Sequence, residues 1–176
     1  MASKINTLPS IGSTIRVVKG VPGGEVSQPS QELTIKRDIL CPMRDGVVLA
    51  MNVILPSGNG PFPTILERTP YDKSGSCHTG TEGYVSRGYA VVIQDVRGRF
   101  NSDGDFDPYR QEHQDGFDTI NWIAEQSWCD GNIGMIGMSY GGQTQWYAAG
   151  GAPKALKAII PVEAPPGNLF MNEPMY

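Results

Sequence analysis

Six residues, Gly137 to Gly142, constrain the fold of this chain more than any other segment. They read Gly-Met-Ser-Tyr-Gly-Gly and match the pattern Gly-x-Ser-x-Gly, with Ser139 at the centre. The preceding residues 132–136 are predicted to form a short buried strand, and residues 143–149 are predicted to form a helix. Because glycine has no Cβ, it lets the backbone turn tightly and lets strand and helix approach each other. The segment therefore predicts a strand, a sharp turn and a helix, with Ser139 at the apex of the turn.

This arrangement is typical of the nucleophile elbow of α/β-hydrolases, and it makes Ser139 the candidate nucleophile. A serine hydroxyl is unreactive at neutral pH unless a neighbouring base takes its proton. The negative charge that develops on the attacked carbonyl oxygen also needs donors that are already in place. The backbone N–H of Tyr140, the residue after the nucleophile, is one such donor by the geometry of the turn.

The remaining sequence alternates between strand and helix patterns. Residues 1–32 are rich in Ser, Gly and Pro without a sustained period, and we expect an extended arm before a domain that spans residues 33–176. An Asp45-Gly46 turn between two apolar runs predicts a hairpin. Strands are predicted at residues 33–40, 47–55, 64–67, 89–94, 132–136 and 156–162, and helices at residues 115–126 and 143–149, with a short helix that ends at residues 85–88. This order predicts an α/β three-layer sandwich of about six strands.

Composition and charge exclude several classes of function. With 39% hydrophobic and 18% charged residues, the chain has the composition of an ordinary globular protein. Its formal net charge of −4 gives no electrostatic reason to expect nucleic acid or an anionic membrane as a partner. No run of apolar residues is long enough to span a bilayer, and the N-terminus lacks the apolar core of a signal peptide. The glycine patterns of dinucleotide and nucleoside triphosphate sites are also absent, so no cofactor is expected.

The cysteines and histidines do not predict a metal site. Cys41, Cys77 and Cys129 form an odd set without the spacing of metal ligands. Structural thiols in a reducing compartment are the expectation, and we predict a cytoplasmic protein. His78 lies in a loop rich in Ser and Gly, and His113 lies at a predicted helix start. Neither histidine is predicted to be the catalytic base, and no carboxylates at matching spacing join them as metal ligands.

Five motifs in the same order along the chain resemble those of the family of cocaine esterase, X-Pro dipeptidyl-peptidase and the α-amino-acid ester hydrolases. The matching segments are residues 43–49 (Met-Arg-Asp-Gly-Val-Val-Leu), 68–73 (Arg-Thr-Pro-Tyr-Asp-Lys), 95–106, 122–131 and 137–142. The resemblance covers roughly residues 33–165. It implies a serine hydrolase that acts on a small acyl ester, amide or peptide substrate. In that family a tyrosine hydroxyl of the Pro-Tyr-Asp-Lys-like segment completes the oxyanion hole, which implies this role for Tyr71.

Other residues of these motifs are predicted to have structural roles. Arg97, Asp103 and Asp105 belong to a glycine-rich loop, which we expect them to organise without taking part in catalysis. Trp122 and Trp128 are expected to pack in the core and not to line a substrate site.

The resemblance also implies segments that the sequence does not contain. Family members place the triad aspartate and histidine far downstream of the serine, beyond a helical cap, whereas this chain continues for 37 residues after Ser139. The expected fold is therefore a partial α/β-hydrolase that stops before the cap and the last strands. Two interpretations remain open: an incomplete serine hydrolase that is nearly inert by itself, or a truncated non-catalytic product that acts as a binding module. In the family's sheet a seventh strand flanks the sixth, so under the second interpretation residues 156–162 are expected to form an exposed apolar edge strand that favours self-association.

Overall fold

The structure is a computed structural model of the chain, and it describes residues 33–75 and 80–166. The predicted arm at residues 1–32, together with Cys77 and His78, lies outside the described residues. In chain order the elements are β1 (Leu33–Pro42), β2 (Val48–Pro56), β3 (Phe62–Thr69), α1 (Thr81–Val85), β4 (Ala90–Asp95), α2 (Glu112–Ala124), β5 (Cys129–Met138), α3 (Tyr140–Gly150) and β6 (Leu156–Val162). The strands and helices predicted from the sequence are thus present, with ends that differ by a few residues. Apolar periodicity marks the buried centre of an element and leaves its ends undefined.

The strands form one six-stranded sheet in the order β1-β2-β4-β3-β5-β6. β1 pairs with β2 through the predicted hairpin, in which Gly46 adopts a φ of 87°. The β1–β2 and β2–β4 pairs are antiparallel, and the β4–β3, β3–β5 and β5–β6 pairs are parallel. The carboxyl ends of β3 to β6 therefore meet at one edge of the sheet, which is where open α/β sheets place their ligands.

Helices cover both faces of the sheet, as the three-layer prediction requires. Val92 of β4 belongs to the larger core cluster, with Ile120 and Ile123 of α2. Its neighbours Val91 and Ile93 point to the other face and pack with Val85 of α1. Because successive side chains of a strand alternate between faces, every residue of β4 is buried. The continuous apolar run in the sequence is explained by this two-sided cover.

The larger core also contains the two cysteines that the structure describes, Cys41 and Cys129, both as buried free thiols. Burial raises the pKa of the Cys41 thiol to about 12, so it stays protonated at neutral pH. Trp122 and Trp128 are partly buried and pack against the same cluster, in line with the prediction that they pack in the core. Among the described residues, none of the helices is both long and apolar enough to cross a membrane.

Candidate active site

Ser139 lies alone between β5 and α3, in a backbone conformation that few residues adopt. β5 ends at Met138, α3 begins at Tyr140, and Ser139 has φ 55° and ψ −119°. Such a conformation costs about 1–3 kcal/mol and persists only where the surrounding structure enforces it. Here the Ser139 N–H donates to the carbonyl oxygen of Val162 over 2.9 Å. The Ser139 carbonyl accepts the N–H groups of Gly142 and Gln143 at 2.9 and 3.0 Å, and the serine itself is exposed.

Two glycines permit the close approach of strand and helix around Ser139. A Cβ at Gly137 would lie 2.7 Å from the carbonyl oxygen of Gly141. A Cβ at Gly142 would overlap the Cβ of Ala164 and lie 3.1 Å from the carbonyl oxygen of Val162. Both positions therefore exclude any side chain, which is the physical reason for glycine in this pattern.

Tyr71 follows the strand next to the one that leads into Ser139. β3 ends at Thr69 and pairs in parallel with β5, so the chain segments after the two strands start about 5 Å apart. The Tyr71 N–H donates to Oγ1 of Thr69 over 3.0 Å, which fixes the turn at the end of β3. The side chain of Tyr71 is 51% exposed, so a bound molecule can reach it.

The segment after Tyr71 is anchored by a buried lysine. Lys73 is 2% exposed, and its Nζ lies 3.0 Å from Oδ2 of Asp95 and 2.9 Å from Oδ1 of Asp38. The Lys73 N–H also donates to Oδ1 of Asp95 over 2.7 Å. Because Asp95 ends β4, these bonds hold the segment of Tyr71 to the neighbouring strand at the same edge of the sheet.

Tyr140 begins α3, and its backbone and side chain serve different purposes. Its N–H is among the first four of the helix, which have no intrahelical partner and lie at the positive end of the helix dipole. Its side chain is buried, and the hydroxyl donates to Oε1 of Glu112 over 2.8 Å. The Tyr140 hydroxyl oxygen in turn accepts the N–H of Tyr109 over 3.1 Å. Burial, followed by the negative charge of Glu112, raises the pKa of Tyr140, so the phenol keeps its proton.

A buried ionic cluster contacts the side chain of Tyr140 through Glu112. Arg68 of β3 is 0% exposed, and its Nη1 lies 2.6 Å from Oε2 of Glu112. Its Nε donates to Oε1 of Gln94 over 2.7 Å, and Nη2 lies 3.9 Å from Oδ2 of Asp115. The sequence predicts no role for Arg68, Glu112 or Asp115. Two acidic residues at the start of a helix are common and do not stand out in a sequence. The one signal that could have revealed the cluster is Arg68, because a charged residue on an interior strand needs a buried partner.

Arg97 extends this cluster to the loop after β4. Its guanidinium donates to both carboxylate oxygens of Asp115, at 2.6 and 3.0 Å, and to Oδ2 of Asp45 at 2.8 Å. The pKa of Arg97 is raised, mainly because its guanidinium is hydrogen-bonded to the Asp115 carboxylate. Asp103 holds the same loop through its backbone, since its carbonyl accepts the Gly98 N–H over 2.9 Å. The prediction that Arg97 organises this loop is confirmed.

His113 lies beside the C-terminal end of α3, whereas Ser139 lies at its N-terminal end. A Cβ at Gly150, the last residue of α3, would lie 3.5 Å from Cδ2 of the His113 ring. The 11 residues of the helix separate that end from Tyr140 by about 16 Å. His113 therefore does not serve as base in this arrangement, as the sequence predicted. Within residues 33–75 and 80–166, no group of three His, Cys, Asp or Glu side chains could hold a metal ion.

The sequences similar to this chain are those of esterases and X-Pro dipeptidyl-peptidases. The family profile described as X-Pro dipeptidyl-peptidase (S15 family) matches residues 45–170. The chain is 47% identical over 133 residues to cocaine esterase of Rhodococcus sp. (strain MB1 Bresler), a match that covers 73% of this chain and 23% of the relative. It is 33% identical over 116 residues to a putative Xaa-Pro dipeptidyl-peptidase of Bacillus cereus, covering 56% of this chain and 19% of the relative. The chain thus spans about a quarter or less of the length of these relatives.

Solved structures agree with the sequence comparison. A CocE/NonD family hydrolase from Staphylococcus aureus superposes with a TM-score of 0.69 at 33% identity, over 74% of this chain and 27% of that chain. An α-amino acid ester hydrolase superposes with a TM-score of 0.68 at 32% identity, over 87% of this chain and 27% of that chain. The predicted fold is therefore confirmed: the six-stranded sheet and its helices correspond to about a quarter of a larger α/β-hydrolase.

Proposed function

Since this chain belongs to the X-Pro dipeptidyl-peptidase family, we propose that it forms the nucleophile-bearing part of a serine hydrolase that cleaves ester or amide bonds of acyl substrates. The observation that carries the proposal is the strained backbone of Ser139 at the tip of β5, where the serine is exposed. Relatives named as an esterase and as dipeptidyl-peptidases support small esters, amides or peptides as substrates.

In this proposal the turn at Ser139 is a nucleophile elbow. The Ser139 Oγ attacks the acyl carbon while its proton passes to a base, which returns it to the departing alcohol or amine as the tetrahedral intermediate collapses to an acyl-enzyme. Water then attacks the acyl-enzyme in the same way, releases the acid and restores the serine. The oxyanion is bound by the Tyr140 N–H and the Tyr71 hydroxyl. Support for Tyr140 is that its N–H lies in the first turn of α3, where backbone N–H groups have no partner within the helix. Support for Tyr71 is its exposed side chain after the adjacent strand.

We assign the base and the orienting acid to sequence outside this chain, which spans about a quarter of the length of its relatives. This assignment is supported by the position of His113, which lies beside the last residue of α3, whereas Ser139 precedes the first. An enzyme without its triad partners retains only the contribution of the oxyanion hole and binding, roughly 10³–10⁴-fold over water. We therefore expect this chain by itself to be nearly inert as an esterase.

Labelling with a fluorophosphonate probe, followed by intact-mass and peptide-mass analysis, tests the assignment. We expect slow labelling confined to Ser139, lost in Ser139→Ala and retained in the matched variant Ser86→Ala. Labels that are spread over the serines according to exposure would contradict the assignment of Ser139. Rapid stoichiometric labelling would contradict the assignment of the base, because it would require a base within this chain.

We further propose a cytoplasmic location and self-association. Support for a reducing compartment is that Cys41 and Cys129 are buried as free thiols. Support for self-association is the place of β6 at the sheet edge, where Ile160 and Val162 are 56% and 41% exposed.

A further inference from the structure

The Tyr140 side chain connects the start of α3 to the start of α2. Its hydroxyl donates to Oε1 of Glu112, and Glu112 is the first residue of α2. The negative charge of Glu112 is favoured there by the positive end of the helix dipole. The same hydroxyl accepts the Tyr109 N–H, and the two tyrosine rings stack with centroids 4.6 Å apart. The residue that supplies one proposed oxyanion donor is thus held by its side chain from two directions.

The second carboxylate oxygen of Glu112 leads to the strand of the other proposed donor. Oε2 of Glu112 binds Nη1 of Arg68, and Arg68 precedes Tyr71 by three residues. The backbone of Arg68 also touches α3: Oγ1 of Thr144 lies 3.4 Å from the Arg68 carbonyl oxygen, and a Cβ at Gly141 would lie 3.3 Å from it. The chain of contacts from Arg68 through Glu112 to Tyr140 therefore joins the end of β3 to the first turn of α3.

Burial makes this connection rigid. Arg68 and Glu112 are 0% and 4% exposed, so neither charge can exchange its partner for water. Each oxygen of the carboxylate has one partner in this chain of contacts, Arg68 on Oε2 and Tyr140 on Oε1. Loss of either bond would leave a buried acceptor unsatisfied, which strongly favours the connected state.

We propose that Glu112 is a positioning residue that sets the separation of the two oxyanion donors, the Tyr140 N–H and the Tyr71 hydroxyl. The inference rests on the proposed function and adds to it a residue that touches neither the nucleophile nor the substrate. A purely structural Glu112 would affect stability alone. A positioning Glu112 also determines how much the Tyr71 hydroxyl contributes to reaction at Ser139.

A double-mutant cycle on the rate of Ser139 phosphonylation distinguishes these roles. Tyr71→Phe removes one donor, and Tyr140→Phe removes the hydroxyl that aligns the other, so we expect each to slow labelling about 10-fold or more. In the double variant the effects should not multiply, and the rate should stay within about 3-fold of the slower single variant. Tyr140→Phe removes the hydroxyl and keeps the ring; because the buried Oε1 of Glu112 then loses its donor, circular dichroism verifies that the variant is folded before its rate is compared.

Asp118→Asn is the matched control for this cycle. Asp118 is a half-buried carboxylate of the same helix that pairs with Arg44 and contacts neither Arg68 nor Tyr140. Combined with Tyr71→Phe, its effect on the rate should multiply. Glu112→Gln leaves one acceptor oxygen for the two donors Arg68 and Tyr140, so it should slow labelling, and its effect should likewise not multiply with that of Tyr71→Phe. Multiplicative effects of Tyr71→Phe and Tyr140→Phe would overturn the proposal.

A second measurement keeps the inference separate from the proposed function. In nitrogen-15 spectra, Tyr140→Phe should shift the amide resonances of residues 71–73, which are distant in sequence, and Asp118→Asn should leave them in place. Unmoved resonances at residues 71–73 would overturn the positioning role whatever the labelling shows. Labelling that is not confined to Ser139, together with shifted resonances, would overturn the proposed function and retain the connection between β3 and α3.

Discussion

Gly142, in the first turn of α3, packs directly against Ala164, and a Cβ on this glycine would overlap the alanine methyl group. The contact joins the helix after Ser139 to the segment after β6. Two side chains of the same helix strengthen this junction: Trp146 Nε1 donates to the Ala164 carbonyl over 2.8 Å, and Gln145 Oε1 accepts the Ile160 N–H over 2.8 Å. The turn at Ser139 is therefore supported by β6 as well as by β5.

Gly142→Ala is expected to destabilise the protein by about 1–3 kcal/mol, because the added methyl group forces α3 away from the segment after β6. Urea unfolding followed by circular dichroism measures the change. Gly134→Ala is the control, since the nearest atom to its Cβ would be the Ala158 carbonyl oxygen at 3.8 Å. Equal losses in the two variants would show that the contact with Ala164 is not the cause.

Arg68→Met is expected to cost about 3–5 kcal/mol, because it leaves the buried Glu112 carboxylate without its cation. The double variant Arg68→Met and Glu112→Leu removes both charges and should be more stable than Arg68→Met alone. Urea unfolding at pH 7 gives both values. If the second substitution lowers stability further, the pair is not the dominant interaction of this cluster.

Stability should fall in acid partly through Asp45. The hydrogen bond from Arg97 lowers the pKa of Asp45 below its usual value of 3.8. A lowered pKa in the folded state adds stability above the unfolded value, and that stability is lost as pH falls from about 4 through the folded pKa. Melting temperatures between pH 3 and 7 should show Asp45→Asn less stable than the parent at pH 7, with a smaller difference at pH 3. A difference that is constant with pH would exclude this linkage.

Ile160→Lys is expected to reduce self-association, because a charge beside an edge strand opposes pairing with another chain. Sedimentation velocity over a range of concentrations measures the effect. Leu40→Lys is the control, since Leu40 is 61% exposed on β1 at the other edge of the sheet. A parent chain that remains monomeric at every concentration would refute the proposal that β6 mediates association.

Local sequence was sufficient to predict the turn at Ser139 and the buried strand β4. Gly137 and Gly142 flank the serine at short range, so the position of the turn can be predicted from residues that are neighbours in the chain. The apolar run of β4 likewise indicates two covered faces by itself. The motif order also identified the family and the six-stranded sheet. The ends of the elements were less well predicted, because caps and strand partners determine them.

The sequence by itself determined where the chain turns, which segments are buried and which serine stands at the tip of a strand. Only the tertiary structure decided how Arg68 and Glu112, 44 residues apart, meet beneath that serine, and how Glu112 then holds Tyr140. It also decided that His113 lies at the far end of α3. The physical reason is that turns and burial patterns follow from neighbouring residues. The partner of a buried charge depends on which strands and helices the sheet order brings together.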